Sequence, residues 1–186
     1  MPAFAPMSEP LSDGVVALRL TAERDIPEIL IAYQDDPELH LRQGIDRPPS
    51  GAELGRRSER AEADRETGRH VSLTVLEAGS DVCVGQLITS RVEWQQARAE
   101  LGMWLAPQVR GRGLASRALR LASRWLFETT PLERLQITTE PDNEPMLATA
   151  RAAGYQCEGV LRGYTLEQGR RVDCAILSLL RGELAQ

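Results

Sequence analysis

The chain has 186 residues, 42% of them apolar and 26% charged, with a net charge of −5 and a pI of about 5.2. That length suits one domain with an adequate core, and the acidic balance argues against a general nucleic-acid binder, whose phosphate contacts need clustered Lys and Arg. No run of ~18 or more apolar residues offers a membrane span, and the opening residues lack the basic-then-apolar pattern of a secretory leader, so a cytoplasmic protein is expected.

Three prolines and small polar residues make residues 1–13 an expected mobile tail, with the folded domain over residues 14–183. Residues 15–20 alternate loosely and read as a first strand. Thr21 and the charges after it start a helix whose apolar face is Ile26, Ile29, Leu30 and Tyr33; Asp35-Asp36-Pro37 ends it. Residues 38–50 are polar and proline-punctuated and read as loop. Ser50 is placed to cap a second helix over 52–67, so rich in charge that a solvated face is expected. Residues 70–77 alternate clearly, Gly79-Ser80-Asp81 turns the chain, and residues 82–89 return as the next strand with Gly85 as a candidate bulge. Residues 99–105 make the fourth strand, which Pro107 stops.

Next comes Arg110-Gly111-Arg112-Gly113, and after it Leu114, Ala118, Leu121, Ala122, Trp125 and Leu126 draw one helical stripe. Pro131 closes that helix, residues 135–139 form a strand, and Asn143 is the N-cap candidate of another helix that Gly154 ends. Residues 155–161 and 171–180 read as a final pair of strands joined by a hairpin at 167–170. The expected fold class is α/β: a single domain with a mixed central sheet of about seven strands flanked by helices.

A strand, a glycine-rich turn and a helix start together make an anion site. The first backbone N–H groups of a helix have no internal partner, that end is partly positive, and glycines admit a ligand close to the backbone. A Walker loop needs Gly-Lys-Ser/Thr, which the chain lacks. A dinucleotide fingerprint needs a third glycine, or an alanine, where Ser116 stands and a first glycine at the strand end, although Glu140 after the next strand would suit it. Arg110-Gly111-Arg112-Gly113-Leu114-Ala115 fits a third pattern, Gln/Arg-x-x-Gly-x-Gly/Ala, preceded by Trp104-Leu105-Ala106-Pro107. In this stretch, and in the order of elements from about residue 15 to 182, the sequence resembles the GNAT superfamily of N-acetyltransferases. Leu18-Arg19-Leu20-Thr21, Val84-Gly85-Gln86, Glu100-Leu101-Gly102, Asp142-Asn143-Glu144, residues 158–163 and Leu179-Leu180-Arg181 resemble its RimJ/RimL-like branch, part of which modifies N-terminal amines of ribosomal proteins.

The resemblance implies acyl transfer from acyl-CoA, acetyl-CoA by default, to a primary amine on a peptide N-terminus or a small molecule. It puts the pyrophosphate on Arg110, Gly111, Arg112, Gly113, Leu114 and Ala115, with Ser116 in the first helical turn. The pantetheine would lie along Met103, Trp104 and Leu105, the thioester carbonyl by a main-chain N–H near Leu105, and Asn143 against the CoA pocket. Where many members have a Tyr, a Ser and a fifth-strand carboxylate, this chain has Ala150, Met146 and Thr138. Glu100 is then the candidate base, and Tyr155 or Tyr164 a candidate thiolate acid, unless the thiolate leaves unaided. Plainer roles stand beside these: Asn143 as a helix cap, Trp104 as core, Glu100 as a solvated strand-end carboxylate, and the two glycines as a tight turn. Rival functions are a polyamine, aminoglycoside or amino-acid acetyltransferase, a succinyl-CoA-type acyltransferase, and a CoA-binding module without catalysis.

Cys83, Cys157 and Cys174 are odd in number and far apart and, with only His40 and His70 as imidazoles, imply no metal site; buried reduced thiols are expected. The last hairpin is a candidate homodimer surface. Arg110→Ala combined with Gly113→Asp is expected to abolish CoA binding measured by calorimetry; retained affinity would refute the loop assignment.

Overall fold

The structure, a computed structural model, describes residues 2–167 and 169–184. One sheet runs through it in the order β1-β2-β3-β4-β5-β6-β8-β7. Its strands are β1 (Leu11–Ser12), β2 (Val16–Leu20), β3 (Val71–Glu77), β4 (Gly85–Glu93), β5 (Arg98–Leu105), β6 (Arg134–Thr139), β7 (Gln156–Glu167) and β8 (Arg170–Leu180). Neighbours are antiparallel except β5 and β6, whose parallel pairing needs a crossover. The crossover is helix α4 (Leu114–Thr129). Helices α1 (Ile26–Asp35) and α3 (Gly51–Glu66) pack together over one face of the sheet, and α4 and α5 (Glu144–Ala152) together over the other. Near-continuous burial along β2 and β3 is what a sheet covered on both faces requires.

Helix α4 holds the core because its stripe is wide. Leu114, Ala118, Ala122, Trp125 and Leu126 are buried as the spacing predicts, and Leu119 and Phe127 join them. Helix α3 is the solvated helix its composition implies, burying only Leu54 among its residues, and its start is a capping box: Ser50 N–H donates to Glu53 Oε2 at 2.8 Å and Glu53 N–H to Ser50 Oγ at 3.3 Å.

Several expectations are corrected. In the stretch expected as a tail, residues 2–13 are held to the domain: Phe4 is 1% exposed, its ring lies 5.5 Å from that of Trp94, and Arg65 Nη1 donates to its carbonyl at 2.8 Å. An aromatic ring outweighs the prolines around it. Asp13 then turns the chain, Oδ1 accepting the N–H groups of Val15 and Val16 at 2.9 Å each, so that Leu11–Ser12 adds an eighth strand. Gly85 marks no bulge; it pairs with Val75 and Leu105, and a Cβ there would stand 2.4 Å from Trp104 O. The bulge falls between Ser90 and Glu93. The loop at 38–50 holds a one-turn helix, α2 (Leu39–Arg42). Of the expected hairpin turn, Gln168 lies outside the described residues; Glu167 and Arg170 pair on either side of it. Cys83 and Cys174 are buried, with burial pushing the Cys83 thiol up to about 12, but Cys157 is exposed; all three are free.

The turn from β2 into α1 is fixed by a buried ion pair. Arg19 grips Asp25 through both terminal nitrogens, at 2.6 and 2.8 Å, and Asp25 also accepts Ala22 N–H at 3.0 Å and Thr74 Oγ1–H at 2.7 Å. Burial raises the Asp25 carboxyl, but these donors outweigh it and hold the group below its usual range. All twenty-two basic residues of the chain are arginines. Asp25→Asn, which leaves Arg19 buried without its counter-charge, should cost about 3–5 kcal/mol in denaturant unfolding. A depressed carboxyl stabilises above its unfolded value and loses that contribution as protons bind, so the pair should weaken progressively below about pH 4. A flat stability profile through the acid range would show that the pair contributes nothing.

Candidate active site

Strands β5 and β6 pair only at Arg98, Ala99 and Glu100, against Arg134, Leu135 and Gln136; beyond Glu100 they part. In an antiparallel ladder, alternate residues point their backbone groups to alternate sides. Ala106 N–H donates to Val84 O at 2.9 Å, which with the register makes 84/106, 86/104 and 88/102 the bonded pairs of β4 with β5. The N–H and C=O groups of Met103 and Leu105 therefore face the split. An open strand edge inside a sheet can take an extended ligand with amides of its own, as the pantetheine arm of CoA has.

The glycine-rich turn stands at one end of the split. Gly111 and Gly113 both have φ of +75°, left-handed conformations that suit glycine, and a Cβ at either would meet open space. Gly113 is the N-cap of α4 and has no side chain to cap it. The N–H groups of Gly111, Arg112 and Gly113 find no acceptor among the described residues, and those of Leu114, Ala115 and Ser116 open the helix without an internal partner. Ser116 closes the first turn, its hydroxyl donating to Gly113 O at 3.1 Å. The residues fit a pyrophosphate: free donors converge at the positive end of a helix of four turns. Both flanking arginines are already tethered. Arg110 Nη2 reaches Asp36 Oδ2 at 2.5 Å while its Nε donates to Leu105 O at 2.8 Å, and Arg112 forks onto Glu77 at 2.7 and 3.0 Å. Asp36 is shared with Arg42; burial raises its carboxyl and the two guanidiniums more than reverse that.

Glu100 sits where β5 and β6 part, with its side chain 14% exposed. Its carboxylate accepts Thr138 Oγ1–H at 2.8 Å, Arg91 Nη1–H at 3.1 Å and Gln136 Nε2–H at 3.4 Å. Thr138, which replaces the fifth-strand carboxylate of the family resemblance, thus donates to a carboxylate on the adjacent strand. Arg91 is delivered by the bulge in β4, where it adopts φ of +47°, a strained conformation costing on the order of 1 kcal/mol.

Tyr155 is corrected. It is 3% exposed, its hydroxyl lies 2.8 Å from Ser123 Oγ in the core beneath α4, and burial raises its pKa. A phenol so enclosed cannot hand a proton to a thiolate in the split. Tyr164 is 43% exposed on the β7–β8 hairpin. Asn143 caps α5, Oδ1 accepting Met146 N–H at 3.2 Å while Nδ2 donates to Thr139 Oγ1 at 2.9 Å, so its amide fixes the end of β6 against α5. Trp104 is core: its ring stands 6.4 Å from Tyr33 and Nε1–H donates to Gln86 Oε1 at 3.3 Å.

A cavity of about 440 Å³ opens under α1 and α3, with Ser72, Gln86 and Ile88 on its sheet side. Cross-strand partners share a face, and Ser72 pairs with Ile88 and Ile88 with Gly102. The row from the cavity to the split thus ends on a residue without a side chain, between Glu100 and Trp104, and a Cβ at Gly102 would meet nothing within 4 Å. That gap lies between the cavity and the split, where a passage from one to the other would run. His70, which sequence reasoning left in a strand, lines the cavity beside Asp64. Burial holds its imidazole below the ordinary value, Asp64 opposing the shift and Arg57 reinforcing it. The signal for Gly102 was present, since a glycine inside an apolar strand often marks a close approach; nothing in the sequence pointed to Arg91, Asp36 or Glu77. Among the described residues, no group of three or more His, Cys, Asp or Glu could hold a metal ion, and no helix is long and apolar enough to cross a membrane.

A mixed sheet that splits beside a parallel crossover, with an uncapped glycine-rich helix start at the split, suits an extended ligand that carries phosphates, as an acyl-CoA does. The family model described as an acetyltransferase (GNAT) domain matches residues 16–156, and the chain belongs to that family. The uncharacterized N-acetyltransferase p20 of Bacillus licheniformis is 27% identical over 164 residues, 88% of this chain and 92% of that protein. Among solved structures, RimJ of Mycobacterium smegmatis, in complex with a CoA disulfide, superposes with a TM-score of 0.81 at 25% identity, over 96% of this chain and 88% of its own. The ribosomal-protein-S5-alanine acetyltransferase of Vibrio fischeri does so with 0.81 at 17% identity, over 96% and 100%. The chain is accordingly an acetyl-CoA-dependent N-acetyltransferase with RimJ/RimL enzymes among its structural neighbours, as the sequence resemblance implied.

Filling the passage tests its role. Gly102→Val adds its side chain to open space on an extended strand, so the protein should fold and bind CoA as before while amine-dependent turnover falls at least about tenfold. Unchanged turnover would place the acceptor's route elsewhere.

Proposed function

We propose that the acceptor is the N-terminal α-amine of a protein, presented through the cavity under α1 and α3 and over Gly102 to a thioester in the split. The observation that carries this reading is that Glu100, already accepting three hydrogen bonds, is the base at hand where β5 and β6 part, while Tyr155 is shut in the core. An alkyl amine with a pKa near ~10 has to be stripped of a proton at neutral pH, whereas an α-amine near ~8 is already about a tenth neutral. Positioning can then supply most of the rate. The names of the ribosomal-protein-S5-alanine acetyltransferase and of RimL, the ribosomal L7/L12 α-N-protein acetyltransferase, support the same class of acceptor.

In this reading the pyrophosphate rests on the N–H groups from Gly111 to Ser116, between the tethered Arg110 and Arg112. The pantetheine lies along Met103 to Leu105 and bonds the open edge at Met103, the Leu105 carbonyl already accepting Arg110 Nε–H, and Asn143 secures the pocket by holding α5 against β6. The thioester carbonyl accepts the Leu105 N–H as charge develops on it. The amine nitrogen attacks directly in a ternary complex: the C–N bond forms, the C–S bond breaks, Glu100 takes the amine's proton, and CoA leaves as the thiolate, a group with a pKa near ~8.5. Exposed Val160, Tyr164 and Leu166 on the β7–β8 hairpin support a second copy of the chain packing there.

Free-thiol release from acetyl-CoA should be stimulated by peptides beginning with Ser, Ala or Thr and hardly by spermidine or free amino acids; the reverse order would overturn the acceptor class. Glu100→Gln should lower kcat by about 100-fold at neutral pH, with the deficit shrinking above about pH 8 as the amine deprotonates unaided. A loss of the same size at every pH would deny Glu100 the base's role.

A further inference from the structure

The charges around the acceptor cavity are lopsided. Carboxylates outnumber guanidiniums in this chain, 27 to 22, so an arginine without a carboxylate is not explained by shortage. Most arginines are indeed engaged: Arg19, Arg24, Arg47, Arg98, Arg117 and Arg134 all form ion pairs. The guanidiniums of Arg57, Arg60 and Arg69, exposed residues that all line the one cavity, have no hydrogen-bond or ion-pair partner among the described residues. Against these three stand a single carboxylate, Asp64, and His70, whose burial favours the neutral imidazole. Arg57 and Arg60 lie three apart on α3 and so share a helix face, while Arg69 follows the end of that helix. Three guanidiniums from two segments thus surround a space whose other walls are Ile26, Ile29, Leu54 and the polar floor of the sheet.

We infer that this cavity selects acceptors that carry a carboxylate close to the amine, namely protein N-termini with an acidic residue at the third or fourth position. The inference rests on the preceding reading that the cavity admits the acceptor. The spacing follows from the sheet. With the amine over Gly102, Ile88 is one strand away and Ser72 two, roughly 10 Å at the ~4.8 Å separation of neighbouring strands. An extended peptide advances about 3.3 Å per residue, so its third and fourth side chains fall under α3. Guanidiniums bind carboxylates through forked hydrogen bonds, and a partly enclosed site screens them less than bulk water does.

The test uses the full chain with acetyl-CoA and three octapeptides that differ only in carrying Glu, Gln or Lys at positions three and four. The Glu peptide should exceed the Gln peptide by about tenfold in kcat/KM, mostly through KM, and the Lys peptide should be poorest. Arg57→Gln with Arg60→Gln should bring the Glu peptide down to the Gln level, as should Arg69→Gln in part, with CoA affinity reporting that each variant is folded. Equal rates on the three peptides, or a Glu preference that survives the double variant, would overturn the subsite while leaving the N-terminal reading standing. A parallel arm compares 8-aminooctanoate with 8-aminooctanamide as free acceptors, whose chains put the terminal group about 10 Å from the amine. If no peptide is acetylated but the carboxylate is preferred and the double variant abolishes that preference, the acceptor class of the preceding section fails and the carboxylate subsite stands. Turnover of neither peptides nor these amines overturns both.

Discussion

The parting of β5 from β6 is the constraint on which the rest of this molecule depends. A sheet gains from pairing every backbone group, yet here two neighbouring strands share three residue pairs and then separate, leaving the inward edge of Met103 and Leu105 without a ladder. Such an edge is tolerable only where water or a ligand reaches it. Everything nearby serves to keep it open: Gly85 lets β4 lie close behind β5, the crossover through α4 carries the chain to the far side, and Asn143 braces the end of β6 against α5. The split is therefore a property of the sheet rather than of any loop, which is why the reacting groups can be positioned by main-chain atoms.

Electrostatics then divides the site into two unlike ends. At the glycine-rich turn the positive charge is held in place beforehand, Arg110 by Asp36 and Arg112 by Glu77, so the backbone donors face a ligand without two long side chains having to be ordered at the moment of binding. The Asp36 tether also joins the end of α1 to the glycine-rich turn. Under α3 the arrangement is the opposite: three guanidiniums line a cavity in which Asp64 is the single carboxylate among the lining residues. A protein with a surplus of acid has placed local positive charge where an incoming substrate, not the fold, would complete it.

Much of this was legible in the sequence, and for physical reasons. Periodicity found α4 because its apolar stripe faces the sheet, and the turn at Arg110 to Gly113 was visible because two glycines ahead of a helical stripe mark left-handed backbone and an open helix start. What escaped was decided by contacts distant in sequence. Phe4 was hidden among prolines, its burial depending on Trp94 and Arg65. Gly85 suggested a bulge, but its reason is the backbone of β5 lying across it. Tyr155 looked like a catalytic phenol because nothing local reveals that Ser123, 32 residues earlier, encloses it. The Glu100 environment was half visible: the carboxylate could be read, whereas the donors on Thr138 and Arg91 come from strands on either side.

The chain's exclusive use of arginine for positive charge has a chemical consequence for an enzyme of this class. A lysine near the split would itself be a primary amine, able to lose its proton and to intercept the activated acetyl group. A guanidinium stays protonated throughout the working range and is no nucleophile. With no lysine among its 186 residues, the enzyme offers its own thioester no side-chain amine to modify, so bound acetyl-CoA is reserved for the acceptor that enters the site.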